Sequence, residues 1–344
     1  MQERAKRRGV ASAAGAIIAC LIGAGFASGQ EVLQFFTVYG PLPGLLGAAL
    51  ACAVLGTGCA LLMADDGQGD VFVRCCGPLA GRALGALCPL LLFGVYAVML
   101  AGAGALVQTG TGLPAWAGRA GMLAATLATV LAGQERMTDI LGRAGPLIVA
   151  FVLAAGAGAL LRGPTGRPWP GLPQPPAGSW WMAALVYAGY NLYLMAPFLT
   201  ALGGRLTGRS AARRAAWAGC GAFGAALALL HLAFCLAPEA LSSQAPAMAL
   251  VRELWPRAAA LAVPVLLAGV YTTAAPLLFS VCRALPPRLP RRPVAAVTAA
   301  AGFACAALPF DRLVGMLYPM IGWFGLALTA GAALHWAAGK WKKR

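Results

Sequence analysis

Ten long apolar segments, separated by short polar stretches, dominate the hydrophobic pattern of this chain. Most of them reach the length of about 20 residues that a helix needs to cross a bilayer. They lack the alternation of apolar and polar residues that is typical of membrane β-strands. The pattern therefore predicts an all-α polytopic membrane protein that forms a single transmembrane domain over residues 1–344. Its expected surroundings are the lipid bilayer. The segments cover residues 10–39, 43–64, 84–110, 119–133, 138–161, 180–202, 214–237, 259–283, 293–309 and 312–337.

The basic residues indicate how the segments cross the membrane. With the N-terminus in the cytoplasm and ten spans, 20 of the 26 Lys and Arg residues face the cytoplasm. This asymmetry follows the positive-inside rule and predicts that both termini are cytoplasmic. The formal net charge of +16 is divided among short clusters between segments and does not follow one face. It therefore indicates topology and argues against nucleic acid as a partner.

Weak internal similarity divides the ten segments into two sets of five. The sequence "FGVYAVML" around Tyr96 in the third segment resembles "AGVYTTAA" around Tyr271 in the eighth. Two further short matches occur at nearly the same separation along the chain. A repeat unit with an odd number of spans must lie inverted relative to its partner. The matches predict a 5+5 inverted repeat, residues 10–161 and 180–337, which is an architecture of transporters.

The first segment contains polar and glycine residues at its centre, in the stretch "IGAGFASGQE" at 22–31. Glycine is a poor helix former, and an unwound backbone within a membrane is tolerated only around a cavity or ligand. We therefore expect the helix to break near Gly25. The pattern Ser28-x-x-Glu31 is that of a capping box, whereas an ionisable side chain within a span is often functional. Both interpretations of Glu31, a helix cap and a proton-coupling carboxylate, stay open.

The sixth segment has a similar centre, "YAGYNLY" at 187–193. By the repeat it corresponds to the first segment, which predicts a second break near Gly189. Asn191 carries an amide that is costly at the membrane centre, so we expect it to bind unwound backbone or a ligand.

These stretches resemble the YkvI-like bacterial membrane proteins, through "IGAGFASGQEVLQFF", "YNLY" and "YTTAAP". That family is similar to the amino acid–polyamine–organocation superfamily. The resemblance implies the leucine-transporter fold, with ten helices of which the first and sixth are broken. It also implies a secondary active transporter of the bacterial cytoplasmic (inner) membrane.

The resemblance implies an ion site and a substrate pocket. In sodium-coupled members of that fold, carbonyls of the first helix and a carbonyl and two hydroxyls of the eighth bind sodium; the matching residues here are Gly23, Phe26, Gly269, Thr272 and Thr273. The alternative is that both threonines bond back to helix carbonyls. The implied substrate-binding residues are Gly23, Ala24, Gly25, Phe26, Ala27, Ser28, Tyr96, Tyr187, Gly189, Tyr190 and Asn191. Tyr96 would reach an anionic headgroup.

The predicted function is sodium-coupled symport of a small organic solute, an amino acid or a related compound, by alternating access. The alternatives are proton coupling through Glu31 and a transport-incompetent receptor or scaffold. An enzyme is not expected, because His231 and His335 lie in apolar segments without carboxylates beside them. No cofactor is expected apart from the sodium ion, and the sequence specifies no oligomeric state.

Overall fold

The computed structural model describes residues 2–64, 70–132, 150–204, 206, 208–257, 259–286 and 288–337, with side chains from Gly9 onward. These residues form helices joined by loops, the longest of which lies at 163–179, and no strand occurs among them. The helices are α1 Gln2–Leu21, α2 Ala24–Ser28, α3 Gln30–Phe35, α4 Pro41–Met63, α5 Val71–Cys76, α6 Pro78–Thr111, α7 Ala115–Ala132, α8 Ala150–Arg162, α9 Trp180–Gly203, α10 Arg209–Leu236, α11 Pro246–Leu254, α12 Ala259–Ala284, α13 Arg291–Cys305 and α14 Phe310–Ala337.

Seven of the described helices are long and apolar enough to cross a membrane, namely α4, α6, α7, α9, α10, α12 and α14. The all-α membrane class is thereby confirmed. The first predicted segment is divided among α1, α2 and α3, and the ninth coincides with α13, which has 15 residues. The fifth coincides in part with α8, and its residues 138–149 lie outside the described residues. The count of ten spans and the inverted repeat stay predictions.

The first segment is interrupted on both sides of Gly25. The helix α1 ends at Leu21, and Gly23 is extended at φ −93° and ψ −170°. The short helix α2 then ends at Gly29, whose φ of +86° lies in the left-handed region. A Cβ on Gly29 would also lie 2.9 Å from the backbone nitrogen of Ala247. Glycine is therefore required at 29 by both conformation and space.

The sixth segment forms one continuous helix, α9, so the predicted break near Gly189 is wrong. Gly189 serves helix packing instead. A side chain on it would overlap the carbonyl oxygen of Gly322 in α14, and one on Gly325 would overlap the backbone of Gly189. Small residues at such crossings allow the backbones of membrane helices to approach closely.

The broken segment lies at the centre of the helix packing. The helix α2 contacts α6, α11 and α12, and α3 contacts α9, α10, α11 and α14. Every residue of α2 and α3 is buried. Polar side chains of α3 are therefore enclosed by protein and do not face lipid.

Candidate functional site

The carboxylate of Glu31 is the centre of the polar groups around the break. Glu31 is 2% exposed. Its Oε2 accepts hydrogen bonds from the Tyr190 hydroxyl at 2.5 Å and from the Tyr187 hydroxyl at 3.1 Å. The backbone N–H of Phe26 also donates to the carboxylate. The backbone of α2, the side chain of Glu31 on α3 and two tyrosines of α9 thus meet at one buried carboxylate.

The break gives the carboxylate its space. A side chain on Gly25 would overlap the carboxylate of Glu31. Because Gly25 has no Cβ, the acid on α3 can turn back against the backbone of α2. The glycine that predicted unwinding therefore allows a close approach between the two helical pieces.

The predicted capping box is formed only in part. Gly29, not Ser28, is the N-cap residue of α3, but the Ser28 hydroxyl accepts a hydrogen bond from the backbone N–H of Gln30 at 3.4 Å. The Ser28 hydroxyl donates to the Gly25 carbonyl at 3.1 Å. Since Glu31 bonds to tyrosines of another helix, its burial is not explained by a local role in the helix end.

Aromatic rings surround the carboxylate and its two hydroxyl donors. The ring of Tyr318 in α14 is stacked on Tyr190, with centroids 4.7 Å apart. Phe35 and Phe36 pack edge-on against Tyr187 at 5.4 and 4.9 Å. Among the described residues, the hydrogen bonds to the carboxylate come from hydroxyls and a backbone amide, not from Lys or Arg. A carboxylate buried in such an apolar setting is costly unless hydrogen-bond donors, a cation or a proton compensate its charge.

Two glutamines on α3 extend the polar cluster, and the sequence interpretation missed their roles. Gln34 donates to the side chain of Gln30 at 3.1 Å and to the backbone carbonyl of Asp311 at 2.8 Å. Gln30 donates to the carbonyl of Ser243 at 3.2 Å. The two amides therefore tie α3 to the start of α14 and to the connection before α11. Their spacing of four residues beside Glu31 was a signal that the sequence did contain. Tyr318 had no such signal.

The remaining predicted pocket residues are buried in the core or make contacts within the helix packing. Ala24, Phe26 and Ala27 are buried in the core around α2. The Asn191 amide donates to the carbonyl of Tyr187 at 3.0 Å, so its N–H group is used inside its own helix, α9. Gly189 packs on α14, as described above.

Tyr96 makes its hydrogen bond to α7 and not to the break. Its hydroxyl lies 3.0 Å from Thr126 Oγ1 in α7, and its ring lies against Gly302 of α13. Tyr271 bonds in the same way to Thr129, at 2.6 Å. The two tyrosines join helices α6 and α12 to α7.

The predicted sodium residues are partly brought together. A Cβ on Gly23 would lie 3.5 Å from Thr273 Oγ1, so the start of α2 lies beside α12. The carbonyls of Gly23 and Phe26 each accept one backbone bond, from Ala27 and Gly29. Thr272 donates to the Gly269 carbonyl at 2.8 Å, as the alternative interpretation expected, and its oxygen keeps lone pairs.

Removing both tyrosine hydroxyls is expected to destabilise the folded protein. In the Tyr187→Phe/Tyr190→Phe variant the rings remain, but a buried acid loses its two side-chain donors. A buried acceptor without partners costs about 1–3 kcal/mol, so thermal unfolding in detergent should shift to lower temperature. The same double substitution in a Glu31→Gln background should cost less, because no charged acceptor is left. Equal costs in both backgrounds would contradict the role of the hydroxyls as donors to Glu31.

Solved membrane transporters share this arrangement of helices. The chain is similar to Mhp1 in its inward-facing conformation, with a TM-score of 0.61 and 14% identity, over 93% of this chain and 75% of that chain. It is similar to MhsT in complex with L-phenylalanine (TM-score 0.57, 15% identity, 98% and 90% covered). It is also similar to the manganese transporter of Eremococcus coleocola (0.56, 14%, 93% and 76%). At such low identity these likenesses show the fold alone, which is the leucine-transporter fold of these proteins.

In sequence, the chain is similar to the uncharacterized membrane protein YkvI of Bacillus subtilis (strain 168). The identity is 24% over 329 residues, which cover 92% of this chain and 93% of that protein. No family model matches the chain. The YkvI-like resemblance drawn from the motifs of the first, sixth and eighth segments is confirmed.

Proposed function

We propose that this chain is a secondary active transporter of the bacterial cytoplasmic membrane, with both termini in the cytoplasm. It would move a small organic solute, an amino acid or a related compound, by alternating access at the break between α1, α2 and α3. The observation that carries the proposal is the buried carboxylate of Glu31, held between the break and two tyrosines of α9. Membrane proteins keep such costly groups at sites that bind ions, protons or substrates.

Proton coupling through Glu31 is the first candidate for the energy source. The side-chain hydrogen bonds of Glu31 come from neutral donors on another helix, which a helix cap alone does not explain. A carboxylate in this setting can hold a proton in one state of the cycle and release it in another, when the site opens to water. The neighbouring hydroxyls of Tyr187 and Tyr190 stabilise the charged form once the proton has left.

Sodium coupling is the second candidate, and it is favoured by one specific contact. The start of α2 lies against Thr273, so the carbonyl of Gly23 and the hydroxyl of Thr273 belong to neighbouring residues. Carbonyl and hydroxyl oxygens are the ligands that hard cations prefer. The proposed sodium ligands are the residues that the resemblance implied. They are Gly23 and Phe26 at α2, and Gly269, Thr272 and Thr273 on α12.

The solute itself would bind along the break and the adjoining face of α9. The backbone from Gly23 to Ser28 and the residues Tyr187, Tyr190 and Asn191 are the proposed contacts. Tyr96 would act in this scheme only if helix α6 moved relative to α7, since its hydroxyl is bonded to Thr126.

Uptake by purified protein in liposomes tests the proposal. Radiolabelled amino acids and related solutes should accumulate when a proton gradient or a sodium gradient is imposed separately. Accumulation driven by the proton gradient alone supports Glu31 as the coupling group, and accumulation that requires sodium supports the second candidate. Specific binding of a solute without any uptake would instead support a receptor or scaffold and overturn transport.

The sodium candidate makes a separate prediction. In Thr273→Val the shape of the side chain is kept and the hydroxyl oxygen is lost. Loss of one ligand should weaken sodium activation about 5- to 150-fold, the equivalent of about 1–3 kcal/mol for a missing polar partner. The matched control is Thr57→Val, whose hydroxyl bonds to a carbonyl of its own helix at an exposed position of α4. An unchanged dependence of uptake on sodium concentration in Thr273→Val would reject this ion site.

A further inference from the structure

A cavity of about 540 Å³ lies between the end of α7, the end of α12 and the start of α13. It is separate from the break, because the cavity lies at the end of α12 whereas α2 lies beside Thr273 in the middle of that helix. Its volume is within the range of about 300–1,000 Å³ that is usual for ligand pockets. By the charge rule this end of the three helices faces the cytoplasm.

Three arginines line the cavity, namely Arg283, Arg291 and Arg292. The guanidinium of Arg283 lies 5.6 Å from the ring centre of Phe279, so one of the three is also held against an aromatic face. Among the described residues, no acidic side chain lines the cavity. The charge of the walls is therefore suited to an anion, and guanidinium geometry is suited to the oxygens of a phosphate.

The surroundings of the cavity are apolar and exposed. Leu131, Leu285 and Leu289 contribute to its wall, and each is at least 38% exposed. Val297, one to two turns further along α13, is 69% exposed. A soluble anion gains nothing from such a surface, whereas an acyl chain does. The ligand that matches both features has a phosphate group and hydrocarbon chains.

We propose that this cavity binds the headgroup of an anionic phospholipid, whose chains lie along the exposed apolar faces of α7 and α13. Basic pockets between membrane helices on the cytoplasmic side bind such headgroups in general. The phosphate would lie against Arg291 and Arg292. The lipid would join the end of α7 to α12 and α13, next to Phe279.

Native mass spectrometry of the full chain in neutral detergent tests the proposal. Titrated phosphatidylglycerol should bind, and phosphatidylcholine should bind much more weakly. The Arg291→Gln/Arg292→Gln variant should weaken apparent phosphatidylglycerol affinity about 30-fold, since each basic residue near an anionic lipid contributes a factor of about five. The charge-keeping Arg291→Lys/Arg292→Lys variant should retain most of the binding, which separates lost charge from lost folding.

A matched control is Arg213→Gln/Arg214→Gln, which removes an adjacent exposed arginine pair from α10 at the same predicted face. It should leave phosphatidylglycerol affinity near that of the unmodified chain. Equal losses from the two pairs would overturn the site in favour of a diffuse surface charge. If glycerol 3-phosphate or inorganic phosphate competes at the same concentration as the lipid, the proposal of a lipid ligand is overturned, and the ligand is a soluble anion. No preference between the two lipids would overturn the site altogether.

Discussion

Glu31→Gln is expected to abolish concentrative uptake of the solute while exchange of solute across the membrane continues. Glutamine has nearly the shape of glutamate, and its carbonyl oxygen can still accept from Tyr187 and Tyr190. It cannot take up or release a proton. Exchange requires no net proton movement and survives, whereas accumulation against a gradient requires the proton and falls to the level of empty liposomes. The dependence of exchange on pH should also disappear in the variant.

The control for this substitution is Glu253→Gln in α11. It makes the same chemical change in an acid that pairs with Arg162 at the end of α8, away from the break. Accumulation should remain close to that of the unmodified chain. If Glu31→Gln also concentrates the solute normally, proton coupling at Glu31 is wrong, and the sodium site around Gly23 and Thr273 becomes the leading candidate.

The break in the first segment could be predicted because its causes lie within a few residues of one another. Gly25 and Gly29 stand beside Ser28 and Glu31, and polar side chains with glycines disfavour a continuous helix wherever the segment packs. The partners of Glu31 could not be predicted in the same way. Tyr187 and Tyr190 are 156 and 159 residues away in sequence. The capping-box pattern predicted a local partner for the acid, and the distant hydroxyls displaced it.

The error at Gly189 has a different cause. Glycine in a membrane helix has two uses, local unwinding and close packing, and a single segment does not distinguish them. The residues that show Gly189 to be a packing glycine are Gly322 and Gly325. They lie on the last helix, and nothing in the sequence of the sixth segment points to them. Tyr96 shows the same limit, because its bond to Thr126 depends on which faces of α6 and α7 meet. Element type follows from local chemistry, but tertiary packing decides whether a glycine breaks a membrane helix and which partner a buried polar group finds.

The close contact between α9 and α14 leads to the second large effect. Gly325→Ala is expected to lower the thermal stability of the purified protein strongly. A Cβ at 325 would lie 2.8 Å from the Cα of Gly189 and would overlap its carbonyl. Backbone atoms cannot move aside as a side-chain tip can, so the two helices must separate. Overpacking of this kind costs about 1–3 kcal/mol or more.

Gly221→Ala is the matched control, and its expected effect has the opposite sign. Gly221 lies in α10, and a Cβ there would meet no atom within 4 Å. Alanine favours a helix over glycine by up to about 1 kcal/mol, so this variant should unfold at the same or a higher temperature. The pair separates packing from helix propensity, since both substitutions add one methyl group to a helix interior. If Gly325→Ala were as stable as Gly221→Ala, Gly189 would not be a packing glycine, and a break in α9 would have to be considered again.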